Sequence, residues 1–333
     1  MSYFGLDCSQ PNAHKRQKED EISSGSQKMA EQILVIKHGA FGDVVQGFDA
    51  FSSLRTSFPE AKITVVTTAP YAGLLRASGW FDEVILDARA PAWKLMQLWQ
   101  IRSVFRQKWD KIIDLQCSRR TARYARLYRT DTRWFGTAPG ASDPMPDFSG
   151  VNNRNRMLTA VKMAGAQEHE DELSFLRSAD LPASVDASDY VLLLPGSSAA
   201  KPSKRWPTER FIRLAEAVTK AGLQPVLGGS EVDRPVTDAI ATDCPSCLNL
   251  TGQTDLFSLA GLAARARCVI GNDTGPVFLA ARLHVPTLML MGADTDPAMS
   301  APYGRHARWI KQDRLDDLSF DEVWAEILPW LKG

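Results

Sequence analysis

Short apolar runs recur along this chain, each closed by a polar loop and followed by a helix-length segment. Residues 32–37 form a short apolar run that reads as a buried parallel strand, and 62–67, 83–86 and 111–115, rich in Ile, Val and Leu, read as strands too. A helix-like stretch runs from the loop at 38–43 to Phe58, and another from Trp93 to Trp109. A second series starts at Tyr190, with strands predicted at 191–194, 225–227, 248–250, 268–270 and 287–291. Strand–helix alternation of this kind predicts an α/β protein with parallel sheets and helices on both faces. Residues 178–189, with Pro182 and several Ser and Asp, read as a linker. Two such halves leave a cleft toward which strand C-termini point, and clefts between domains are common ligand sites.

The strand-exit loops are therefore the places to look. Gly271-Asn272-Asp273-Thr274-Gly275-Pro276 joins an apolar strand to the helix-like run 277–283. The first N–H groups of such a helix lack intrahelical partners and carry the positive end of its dipole, which suits a phosphate. Asp273 would repel phosphate and reads better as an acceptor for hydroxyls. Alone, the tripeptide reads better as an N-cap and tight turn. The first loop, Gly39 to Asp43, has G-x-x-G-D spacing, so the dinucleotide fingerprint is absent. Its own residues allow turn glycines at Gly39 and Gly42 and an N-cap at Asp43.

Arg119, Arg123 and Arg126 fall on one predicted helix face, with Arg120 and Arg129 flanking it. Either this is a solvated basic face or it cradles an anionic acceptor, for which the guanidinium fork is suited. The stripe lacks the interleaved aromatics of a single-strand nucleic-acid groove. Formal net charge is zero, no run is long enough to span a membrane, and the N-terminus has no apolar signal core. Five scattered cysteines fit reduced thiols, and Cys244 and Cys247 form a lone CxxC without the second pair a metal would need. Residues 1–28 read as a disordered tail.

Several loops together resemble glycosyltransferase family 9, the heptosyltransferase-like enzymes. The matching pieces are Lys37-x-x-x-x-Gly42-Asp43, Asp114-Leu115-Gln116, Pro195-Gly196-Ser197, Lys204-x-Trp206-Pro207, Gly228-Gly229-Ser230-Glu231, and Asp273-Thr274-Gly275 with Leu279-Ala280-Ala281. The resemblance implies the GT-B fold: two Rossmann-like domains with parallel sheets facing a central cleft. Residues 29–180 would form the acceptor-side domain and 181–333 the nucleotide-sugar domain. The terminal helix, 320–331, could cross back to the first. It also implies inverting transfer of a heptose-type sugar from an ADP-sugar to a lipopolysaccharide inner-core or related anionic glycolipid, with no metal or other cofactor. The expected setting is cytoplasmic, at the inner face of the cytoplasmic membrane.

By the same resemblance Asp43 is the general base and Lys204 stands beside the donor diphosphate. Ser197, Glu231, Asp273, Thr274 and Gly275 contact the donor, and Arg119, Arg120, Arg123 and Arg126 are candidates for the acceptor. Two positions depart from the family pattern: Phe278 stands where His is usual, and Cys117 where Gly is common. An epimerase or hydrolase on the same fold, or a nucleotide-sugar-binding protein without activity, are the alternatives. Nucleotide release with and without acceptor separates them.

Overall fold

The computed structural model describes residues 30–90, 94–129, 131–185, 189–197 and 202–332. The expected tail, and residues 186–188 of the expected linker, lie outside them. Two six-stranded parallel sheets form the frame. The first contains β1 (Gln32–Ile36), β2 (Lys62–Thr67), β3 (Glu83–Leu86), β4 (Lys111–Asp114), β5 (Arg133–Gly136) and β6 (Asp143–Pro144), in the order β3-β2-β1-β4-β5-β6. The second contains β7 (Tyr190–Leu194), β8 (Gln224–Leu227), β9 (Leu248–Asn249), β10 (Cys268–Asn272), β11 (Thr287–Met291) and β12 (Ala307–Lys311), in the order β12-β11-β10-β7-β8-β9. Counted within its own half, each sheet has the doubly wound order 3-2-1-4-5-6. Such a sheet opens a crevice where the winding reverses, between its first and fourth strands. Those are β1 and β4 in one half and β7 and β10 in the other, and their exit loops carry four of the six sequence pieces named above.

The helices are α1 (Phe41–Val45), α2 (Phe48–Ser57), α3 (Ala69–Ala77), α4 (Leu95–Arg106), α5 (Thr121–Tyr124), α6 (Asn153–Met163) and α7 (Ser174–Arg177), then α8 (Thr208–Lys220), α9 (Arg234–Asp243), α10 (Leu256–Arg265), α11 (Gly275–Arg282), α12 (Pro297–Ser300) and α13 (Phe320–Leu331). The helix expected up to Phe58 is two helices. Gly47 interrupts it, donating to Val44 O rather than to the carbonyl one residue further back, as a residue of poor helix propensity allows.

A single apolar core passes through both halves. Ile33, Val35, Val44 and Phe48 from the first meet Leu192, Leu262, Val277 and Phe278 from the second. Beside this seam Asp49, 1% exposed, accepts from Arg154 of α6 and from Arg282 of α11. Both guanidiniums are themselves buried. One carboxylate thus ties α2 to the second half, and removing one partner of such a buried pair typically costs about 3–5 kcal/mol.

The terminal helix does not place its apolar face on the first half. Val323 and Ile327 of α13 bury with Phe211, Leu214, Leu288 and Leu290 in the core of the second sheet. Their spacing of four makes one apolar stripe, which the nearer sheet covers.

Candidate active site

The exit loops of β1 and β10 meet. Gly42 at the start of α1 lies against Gly275 at the start of α11, and a Cβ at residue 275 would be 2.6 Å from Phe41 Cδ1 and 3.0 Å from Gly42 N. A Cβ at residue 42 would be 3.0 Å from the Phe278 ring. A side chain at residue 275 would collide with Phe41 and press on the Gly42 amide, and one at residue 42 would press on the Phe278 ring. Phe278, 6% exposed, fills the space beneath this contact as part of the shared core. Its ring therefore has a packing role where the family pattern carries a polar one.

A cavity lies on each side of the contact. The first, about 590 Å³, is lined by Phe41 and Tyr71 from one half and by Gly196, Gly228, Gly229 and Thr274 from the other. Leu194, Leu256 and Leu259 add aliphatic surface, and rings, apolar side chains and a helix N-terminus together suit a flat ligand ring followed by phosphate. Asp233 also lines it, but its carboxylate is turned onto the Ser230 amide and hydroxyl at 2.9 and 2.8 Å. The Thr274 and Gly275 amides lie at the N-terminus of α11, where Pro276 contributes no N–H.

Lys204 reaches the same loop from the turn Pro202–Lys204, and its ammonium pairs with Asp273. Thr295 Oγ1 also donates to Asp273, at 2.6 Å. Asn272, fully buried, explains how this turn is fixed. Its Oδ1 accepts from Trp206 N at 3.0 Å and its Nδ2 donates to Pro195 O at 2.7 Å, joining β10 to the exit of β7. The indole of Trp206 is anchored below on Leu318 O. The Lys-x-Trp spacing is thus an ammonium above and an anchor beneath.

The second cavity, about 720 Å³, is lined by Lys37, Asp43, Gln116, Cys117 and Arg156, with Met299 and Ser300 contributed by the second half. Asp43 Oδ2 accepts from Ala40 N at 3.2 Å and Oδ1 from Asn153 Nδ2 at 3.0 Å. Asn153 Oδ1 in turn accepts from Arg156 at 2.7 Å. The carboxylate is held in one orientation and keeps lone pairs for a further donor. Lys37 is 1% exposed, and its ammonium makes one long bond, 3.4 Å, to Leu115 O. Burial pushes its pKa down to about 8, against the opposing pull of Asp43.

Gln116 Oε1 accepts from the amides of His38 and Gly39, and Asp114 Oδ1 from those of Gln116 and Cys117. The Asp-x-Gln piece therefore shapes the first loop. Cys117 has φ +46, in the left-handed region. That conformation favours glycine and explains the family preference there.

The other predicted site residues are distributed unevenly. Ser197 is buried, with its hydroxyl and carbonyl taken by Arg205. Glu231 is paired with Arg234 and does not line the glycine-walled cavity, whose neighbouring positions are Gly229 and Ser230. The arginine stripe is not one helix face, because α5 is only four residues long. Arg119, Arg123 and Arg126 are exposed, while Arg120 turns to Tyr124 and to Arg89 O. None of the four lines the Asp43 cavity. The residues missed from sequence, Asn153 and Arg156, sit on the first turns of α6 after a loop rich in Pro and Gly. The alternating Asn and Arg at 153–156 are the signal in the sequence.

Residues 146–323, more than half of the chain, match the family model for glycosyltransferase family 9 (heptosyltransferase). A lipooligosaccharide heptosyltransferase 2 from Haemophilus ducreyi is 25% identical over 310 residues, spanning 84% of this chain and 88% of the relative. Among solved structures, the E. coli ADP-heptose lipopolysaccharide heptosyltransferase II superposes with a TM-score of 0.71 at 22% identity, covering 90% of this chain and 98% of that one. E. coli heptosyltransferase WaaC, solved with ADP, gives 0.75 at 19% identity over 90% and 99%. The same enzyme with ADP-2-deoxy-2-fluoro heptose gives 0.72 at 20%, again over 90% and 99%. With two facing doubly wound sheets and this match, the chain is a glycosyltransferase of the GT-B fold and belongs to glycosyltransferase family 9, the heptosyltransferase family.

Proposed function

We propose that the protein transfers a heptose-type sugar from an ADP-sugar to a hydroxyl of a lipopolysaccharide inner-core or related anionic glycolipid, with inversion. The observation that carries this reading is the partition of the cleft. A glycine-walled cavity ending at a helix N-terminus lies on one side of the Gly42–Gly275 contact, and a charged cavity holding one oriented carboxylate lies on the other.

The nucleotide occupies the first cavity, its ring near Phe41 and Tyr71 and its diphosphate at the Thr274 and Gly275 amides. Asp43 accepts the proton of the attacking hydroxyl as that oxygen bonds to the anomeric carbon from the face opposite the diphosphate. The bond from anomeric carbon to diphosphate oxygen breaks, and its electron pair leaves with ADP. Lys204 and the α11 amides stabilise the charge that builds on the leaving diphosphate. Asp273, held by Lys204 and Thr295, is positioned to orient sugar hydroxyls. Lys37 and Arg156 supply positive charge to the acceptor side. Asn153 is a positioning residue, aiming Asp43 through its amide. The exposed arginines 119, 123 and 126 lie farther out, where they meet remote anionic groups of a large acceptor.

Incubating the protein with ADP-heptose, with and without a heptose-deficient inner-core acceptor, tests this. Release of ADP that depends on the acceptor supports transfer. Release without it assigns a hydrolase, and no release with either argues for a binding protein or another donor.

A further inference from the structure

The first half carries a second feature that the cleft does not use. Between Ala88 and Trp109 there are five Lys or Arg and no acidic residue, although the whole chain has zero net charge. Helix α4 occupies the centre of this stretch. Ile101, Val104 and Phe105 bury under the sheet, packed with Leu34, Ile36 and Ile112. The opposite face exposes Met96 at 76% and Trp99 at 69%, with Arg102 and Arg106 exposed beside them. At 100° per residue, positions 96, 99, 102 and 106 form one contiguous strip. A monomer gains nothing from leaving a tryptophan and a methionine together in water.

The neighbouring helix extends the surface. Phe105 of α4 stacks on Tyr124 of α5 with centroids 4.7 Å apart, so the two helices lie side by side under one sheet face. From α5 and its flanks Arg119, Arg123 and Arg126 are exposed. Among the described residues none of Lys94, Arg102, Arg106, Arg119, Arg123 and Arg126 has a carboxylate within salt-bridge distance. Exposed aromatic and thioether side chains inside a field of unpaired cations match the interface of an anionic bilayer: rings and Met enter the headgroup boundary while Arg and Lys meet lipid phosphates.

We infer that the α4 strip, flanked by the α5 arginines, docks the protein on a membrane surface carrying anionic headgroups. The inference deepens the glycolipid-acceptor reading, since it brings the half that holds Asp43 to the lipid surface. Its test needs neither donor nor acceptor, so the two fail separately.

The full chain is sedimented with phosphatidylethanolamine vesicles, with and without phosphatidylglycerol, at low and high salt. Binding is expected to require phosphatidylglycerol and to weaken at high salt. Arg102→Gln with Arg106→Gln should lower vesicle affinity about fivefold per charge removed. Trp99→Ser should lower it by about tenfold and make the remainder more salt-sensitive. Each variant should keep the wild-type melting temperature and affinity for ADP. Equal binding to neutral and anionic vesicles, or wild-type binding by both variants, overturns the inference. So does dissociation of an oligomer in Trp99→Ser, which would assign the strip to a second copy of the chain, or binding of an oligonucleotide in preference to vesicles.

Discussion

The two cavities of the cleft are built from opposite materials. The glycine-walled one offers backbone, aromatic and aliphatic side chains and a helix N-terminus, while the other offers the ionisable Lys37, Asp43 and Arg156. A site made of backbone selects shape and fixed charge through groups that have no alternative positions. A site made of ionisable side chains can move a proton and can be tuned by its neighbours. The difference separates the proposed holding of a nucleotide from the proposed activation of a hydroxyl.

Changes to one cavity should therefore leave the other's task intact. Asp43→Asn should reduce transfer by ~10²–10⁴, the usual cost of losing a general base. Turnover near wild type in a steady-state assay would remove Asp43 from the chemistry.

Lys37→Met should stabilise the protein while slowing it. The folded-state pKa of about 8 lies below the unfolded value of 10.5. The folded state then holds fewer protons between these values, so wild-type stability rises with pH across that window. Below about pH 8 the penalty is fully present, and by linkage it is up to about 3 kcal/mol. The melting temperature of Lys37→Met should exceed wild type at pH 7, with the gap closing toward pH 10.5. A destabilised variant at pH 7 would make Lys37 a structural ammonium. The same pKa predicts that wild-type transfer falls above about pH 8 and that Lys37→Arg moves this limb upward.

Lys204→Ala should weaken ADP-sugar binding by about 1.5–3 kcal/mol, the range of a charge-assisted hydrogen bond, and slow transfer with it. Phe278→His should lower stability by about 1–3 kcal/mol, since it puts polar ring atoms into the seam under Gly42. A melting temperature unchanged from wild type would show that the ring is not the packing element described. The smallest effect is expected from Cys117→Gly, a gain of no more than about 1 kcal/mol. Relief of the left-handed strain is partly offset by the greater entropy of glycine in the unfolded chain.

The parts of this arrangement legible in the sequence were those written in local pattern. The strands at 62–67 and 287–291 match the observed ones residue for residue, because buried parallel strands are apolar runs with abrupt ends, and 83–86 matches too although it is a partly exposed edge strand. Strands β5 and β12 were not legible. Arg133–Gly136 follows a run of arginines, and Ala307–Lys311 is a half-exposed strand at a sheet edge with Arg308 and Lys311 among its five residues. The strand-exit loops also announced themselves, yet the partners of their side chains did not. Asp273 meeting Lys204 and Asp43 meeting Asn153 are contacts across 69 and 110 residues. The arginine stripe was read on a helix that ends after one turn, so periodicity placed Arg120 outward when it points to Tyr124. Asn272 was legible only as part of a loop; its role as the bolt between β10, the Lys204 turn and the β7 exit depends on three segments meeting.

Titrating ADP into wild type, Asp43→Asn and Lys204→Ala by calorimetry tests the division of labour most directly. Wild-type affinity is expected for Asp43→Asn, although transfer is lost, and an affinity about ten- to a hundredfold weaker for Lys204→Ala. Equal weakening in both variants, or full affinity in Lys204→Ala, would contradict it.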